Sequence, residues 1–171
     1  LMQRYNYQID PAKTRVALRA EMKAQMKKNE EWLKAHGERA ASKWLLLFTG
    51  DVTSFYMTRS VAATFRHGLR VKSLYEKAIA ADGGLSFALV NLGNWYFYAP
   101  KVFGGGKNTA MEKYTAAMRG ARVDGEKYYA ALHVSQLYFE KSNAKRAEEY
   151  LAIATALAPK SKEVANIRRC N

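Results

Sequence analysis

Three times in this chain a compact residue, a bulky one and an alanine recur at the same spacing: Val71, Tyr75 and Ala78; Ala110, Tyr114 and Ala117; Ala147, Leu151 and Ala154. Steps of four and three residues place each trio on one face of an α-helix. Compact residues let a second helix approach closely, and the bulky one fills the space between them. A helix built this way buries its face only against a neighbouring helix. No run of alternating β-branched residues appears, so no sheet is expected.

Breakers and caps divide the chain into helices. Asp10-Pro11 reads as an N-cap followed by proline at the first helical position, where its missing N–H costs nothing. The pattern predicts a long helix to His36, closed by Gly37 in a left-handed conformation. Further helices are expected over 38–48, stopped by Thr49-Gly50-Asp51, over 52–66, turning at His67-Gly68, and over 69–81. Beyond Asp82-Gly83-Gly84 the pattern gives helices over 85–98, 107–120, 125–141 and 144–158, with Pro159 ending the last and a short tail helix over 161–169. The fold class expected is all-α, a stack of antiparallel helix pairs.

Aligned on a unit of 34 residues, Tyr138, Ala147, Leu151, Ala154 and Pro159 fall at positions 11, 20, 24, 27 and 32. Leu89, Leu92, Gly93 and Tyr96 fall at 4, 7, 8 and 11, and Ala110, Tyr114 and Ala117 at 20, 24 and 27, with five extra residues between the helices. Val71, Tyr75 and Ala78 fit the second half of a unit, but Arg59 and Ala62 fit its first half poorly. The chain therefore resembles the tetratricopeptide repeat (TPR) superfamily. The resemblance implies one helical-repeat domain over 1–171: a helical pair at 1–51, a degenerate repeat at 52–84, repeats at 85–123 and 124–159, and a tail at 160–171. The stretched loop, with Ala99-Pro100 and Gly104-Gly105-Gly106, is also similar to that of periplasmic TPR lipoproteins associated with TRAP transporters.

The resemblance also implies a groove lined by the first helix of each repeat. Carried onto this chain it selects Phe87, Val90, Asn91, Asn94, Phe97 and Tyr98, then Tyr129, Leu132, His133, Gln136, Phe139 and Glu140. Phe97 and Phe139 are expected to pack against a neighbouring helix, leaving Asn91, Asn94, Tyr98, Tyr129, His133 and Gln136 as the candidate groove. Amides and rings of this kind suit an extended peptide of a protein partner or a small organic ligand. Clamping of chaperone C-terminal carboxylates is disfavoured, because Tyr129 and His133 stand where that sub-family has Lys and Arg.

Lys and Arg number 28 against 15 Asp and Glu, a net charge of +13. Arg59, Arg66, Arg70 and Lys72 lie in a stretch without acids, and the three arginines recur at intervals of seven and four. Arg15, Arg19, Lys23 and Lys27 make a second ladder. Such faces serve nucleic acid or an anionic surface when they are free, and are merely solvated otherwise. The alternative function is accordingly that of a basic helical repeat on one of those partners. No apolar run reaches the length of a membrane span, and any membrane association is expected through a lipid anchor preceding Leu1. The compartment expected is the periplasm, with the cytoplasm as the other option.

Catalytic patterns are lacking. Gly104-Gly105-Gly106-Lys107 has Lys101 where a phosphate loop needs glycine, and Asn108 where it needs Ser or Thr. His36, His67 and His133 form no metal-binding pair, and Cys170 stands alone near the C-terminus. A non-enzymatic protein without metal or cofactor is the expectation.

Overall fold

The computed structural model describes residues 11–57 and 60–170, so Asp10 and Arg59, and with them the Asp10 cap, lie outside the described residues. All the regular structure among the described residues is helical: eight α-helices and two 3₁₀ turns. The chain divides into two compact units, Leu1–Asp82 and Gly83–Asn171.

In the first unit, α1 (Pro11–His36) buries Leu18, Met22 and Leu33 and ends with Lys34 and His36 in its last turn, where a cation meets the helix dipole favourably. Gly37 follows at φ 80°, and a 3₁₀ turn, Glu38–Ala40, leads to α2 (Lys43–Met57). α2 packs against α1 and against α3 (Val61–Ala81).

The expected stop at Thr49-Gly50-Asp51 is instead the buried centre of α2. Thr49 and Thr53 turn their hydroxyls back onto the carbonyls of Leu45 and Thr49, at 2.6 and 2.7 Å, which satisfies them inside a helix. Gly50 is there for contact: a Cβ on it would stand 2.5 Å from the Tyr75 ring, whose hydroxyl donates to Asp51 Oδ1 at 3.0 Å. The turn expected at His67-Gly68 is likewise mid-helix. α2 instead runs on to Met57 and α3 starts at Val61, with Ser60 capping α3 by accepting from the Ala63 N–H at 3.2 Å. Residues 51 and 52 thus both lie inside α2, which packs chiefly on α3.

The second unit follows the sequence closely: α4 (Ser86–Tyr98), the 3₁₀ turn Lys101–Phe103, α5 (Lys107–Gly120), α6 (Asp124–Glu140), α7 (Ala144–Leu157) and α8 (Lys162–Cys170). α4 packs on α5 and α6 on α7; α6 also packs on both α4 and α5. Only three residues join α6 to α7, so the two run antiparallel. Asn143 caps α7 by accepting from the Arg146 N–H at 3.1 Å. The Ser86 hydroxyl reaches the Ala117 carbonyl at 3.1 Å, tying the start of α4 to the end of α5. Ala131, Leu132, Leu151, Ala154 and Val164 form one buried cluster, by which α8 is held to the α6–α7 pair.

All three trios read from the sequence are buried: Val71, Tyr75 and Ala78; Ala110, Tyr114 and Ala117; Ala147, Leu151 and Ala154.

Candidate functional site

Along α4, Phe87, Asn91, Asn94 and Tyr98 share one face; along α6, Tyr129, His133 and Gln136 share another. The two faces meet. Tyr129 Oη donates to Asn91 Oδ1 at 3.2 Å, and Gln136 Nε2 donates to Tyr98 Oη at 3.4 Å. The Phe87 and Tyr129 rings lie 5.9 Å apart. All six candidate residues thus form one continuous polar and aromatic strip, most exposed at Tyr98.

Beneath the strip lies Tyr114 of α5, a residue the groove reading passes over. A Cβ on Gly93 would stand 2.4 Å from its ring, so only glycine admits it there. Its hydroxyl donates to Asn94 Oδ1 at 2.7 Å, fixing the amide so that its NH₂ faces away from Tyr114. Burial raises the Tyr114 pKa and keeps the phenol protonated, as this donation requires. The signal for it stands in the sequence: Gly50-Asp51 with Tyr75 and Gly93-Asn94 with Tyr114 form the same Gly-Asx–Tyr arrangement in two helix pairs.

His133 stacks on Tyr114 at 5.5 Å between centroids and meets the edge of Tyr129 at 4.6 Å. Burial pushes its pKa down to about 4, so the imidazole is neutral, with one donor and one acceptor nitrogen. Neither ring nitrogen nor the Asn94 amide nitrogen has a hydrogen-bond partner among the described residues. Ser135 Oγ is the one fully enclosed side-chain polar atom without a partner among those residues, so the Asn94 and His133 atoms reach solvent. Chemically the strip is neutral and two-sided, offering donors and acceptors between aromatic rings. Of the other positions carried over, Val90 and Leu132 are core residues, and Phe97 and Phe139 are partly buried.

The basic residues do not make one free face. Arg70 grips Glu30 through Nε and Nη2, at 2.8 and 2.7 Å, and also pairs with Glu38, which in turn binds Lys77. The Lys77 hydrogen bond, with Arg70 assisting, holds the Glu38 carboxyl below the usual range. Lys72 pairs with Glu76 at 3.6 Å, while Arg66 is exposed. In the second ladder Arg19 covers the Tyr56 ring at 5.3 Å and Lys27 pairs with Glu31 at 3.6 Å; the Arg15 side chain lies outside the described residues. An open depression of about 750 Å³ between Met26, Leu33 and Arg70 is lined by several of these paired charges and by Lys23 and Lys34.

No family model matches this chain, and neither does any curated protein. Among the described residues no group of three His, Cys, Asp or Glu side chains is placed to hold a metal ion, and no helix is long and apolar enough to cross a membrane.

Proposed function

We propose that the chain is a non-enzymatic TPR-type binding protein whose α4–α6 strip engages an extended peptide of a protein partner or a small neutral ligand. The observation that carries this reading is the unpartnered, solvent-reaching set of Asn94 Nδ2 and the His133 ring nitrogens. They belong to side chains that contact Tyr114 and, for His133, Tyr129, on a frame where Gly93 admits the Tyr114 ring. Polar atoms that no protein group satisfies in a pre-formed site can exchange water for an occupant that supplies their hydrogen bonds. A peptide backbone, with one donor and one acceptor per residue, has the matching chemistry.

Two features support the repeat assignment. The compact–bulky–alanine trio is buried in all three helix pairs. α6 packs on both helices of the preceding pair, as a helix must when each pair is to continue a stack. In the narrower form of the proposal, resting on the stretched α4–α5 loop, the protein is a lipid-anchored periplasmic partner of a transporter's solute-binding subunit.

Isosteric variants test the strip. Asn94→Asp keeps the acceptor for Tyr114 and removes the NH₂; His133→Phe keeps the stack and removes the nitrogens. A partner captured by the wild-type chain, identified and purified, is expected to bind the double variant at least tenfold more weakly by calorimetric titration. Unchanged affinity in a variant of unchanged helicity would refute the assignment.

A further inference from the structure

The loop between α4 and α5 has a second character that groove binding leaves unused. Val102 is 86% exposed and Phe103 41%, so two apolar side chains of the Lys101–Phe103 turn are exposed. The turn is rigidly built. Phe103 N–H and Gly105 N–H both donate to the Pro100 carbonyl, at 3.0 and 3.1 Å, and Gly104 N–H donates to Lys101 at 2.8 Å. Gly106 N–H donates to Tyr96 at 2.8 Å, pinning the loop to α4. Gly105 sits so close to α4 that a Cβ on it would lie 1.8 Å from the Ala99 carbonyl oxygen. The apolar tip is therefore pre-formed, and displaying it costs no ordering on contact.

The same end of the second unit concentrates positive charge. Lys107 pairs with Glu140 and Lys141 donates to Asn108, both at 2.9 Å, which brings the α4–α5 loop beside the α6–α7 turn. Across 98–108 and 139–146 stand five basic side chains and one acid, Glu140. Arg146 pairs with Glu149, just beyond.

We propose that this end is a docking site for an anionic lipid surface, with Val102 and Phe103 entering the headgroup–acyl boundary and Lys101, Lys141 and Lys145 meeting lipid phosphates. An exposed apolar turn beside a lysine-rich helix junction fits a fluid interface that closes around it, whereas a folded partner would need a matching cavity. Apolar burial and attraction to anionic headgroups add in such binding. Neither suffices alone here, since two side chains bury little area and the lysines are screened by salt.

The test uses the full chain and unilamellar vesicles. Co-sedimentation is expected with mixed phosphatidylcholine–phosphatidylglycerol vesicles and not with pure phosphatidylcholine. Val102→Ser with Phe103→Ser is expected to weaken binding at least tenfold while helicity and melting stay unchanged. A Val102→Cys, Cys170→Ser chain carrying an environment-sensitive dye at residue 102 should shift to the blue on the anionic vesicles. Asn94→Asp with His133→Phe should bind vesicles as wild type does, which separates this site from the groove. Failure to bind anionic vesicles overturns the proposal, and so does full affinity in the Val102→Ser, Phe103→Ser chain. Binding to polyglutamate without binding to vesicles would assign the lysines to an acidic protein instead.

Discussion

Glycine carries opposite meanings at three helical positions here, and the space around each decides which. Gly50 and Gly93 lie against the rings of Tyr75 and Tyr114, so an added Cβ must displace a buried ring that is itself hydrogen-bonded. Gly50→Ala and Gly93→Ala are each expected to cost about 1–3 kcal/mol, the usual range for overpacking a tight core. A Cβ on Gly68 would meet nothing within 4 Å outside its own helix, and Gly68→Ala is expected to stabilise by about 0.5–1 kcal/mol through helix propensity. Urea titration of the three variants checks the sign of each; a Gly93→Ala chain as stable as wild type would contradict the Tyr114 packing. His133 gives a pH signature. Its native pKa is about 4 against an ordinary 6.5, so the unfolded chain takes up a proton that the native chain refuses. The stability this contributes is complete above pH 6.5 and is lost as pH falls from there to about 4. Since the ring is only partly buried, the loss is on the order of 1–2 kcal/mol. His133→Phe keeps the Tyr114 stack and should flatten the pH dependence relative to wild type in urea titrations at pH 7.5, 5.5 and 4.5. Parallel slopes for the two chains would show that His133 titrates freely.

At the scale of elements, the two halves of the chain differ in how openly the sequence declares them. In the second unit, breakers and helix ends coincide: Gly106 precedes α5, Asn143 caps α7, and Pro159 follows α7 by two residues. Reading those residues as punctuation gives helix ends within about a residue. In the first unit the same residue types serve packing instead. Thr49, Gly50 and Asp51 look like a turn, yet the threonine bonds to its own helix, the glycine admits a tyrosine and the aspartate accepts that tyrosine's hydrogen bond. Ser60, an unremarkable serine in sequence, is the real boundary. Local composition cannot separate a glycine that breaks a helix from one that lets a ring approach, because the difference lies in a partner 25 residues away. Aligning Gly50-Asp51 with Gly93-Asn94 would have distinguished them. The candidate strip was legible as positions on α4 and α6. Its support by Tyr114, from the partner helix α5, was signalled only by the match of Gly93-Asn94 to Gly50-Asp51. The basic stripe misleads for the same reason: helical spacing places Arg66 and Arg70, but only the fold brings Glu30 and Glu38 to Arg70.

For the whole molecule the question is how much each unit owes to itself. Residues 83–171 hold a cluster of their own around Leu132 and Leu151, the buried Ser86–Ala117 and Tyr114–Asn94 bonds, and all six residues of the candidate strip. A segment of that size buries enough of its surface to fold without disulfides or metal. It also carries 13 basic side chains against 7 acidic ones, so self-repulsion opposes folding at low salt. Expressed alone, residues 83–171 are expected to be strongly helical and to unfold in one cooperative urea transition whose midpoint rises on adding salt, as the repulsion is screened. Far-ultraviolet circular dichroism through a urea series at two salt concentrations is the measurement. A broad transition, or a helical fragment that binds hydrophobic dye, would mean that residues 1–82 contribute to the core of the second unit. The salt response bears on binding as well: a unit that gains stability by shedding repulsion gains it equally from an anionic surface at its lysine-rich end. Vesicles of phosphatidylglycerol should therefore raise the midpoint of the same fragment at low salt, and less so when Val102 and Phe103 are serine.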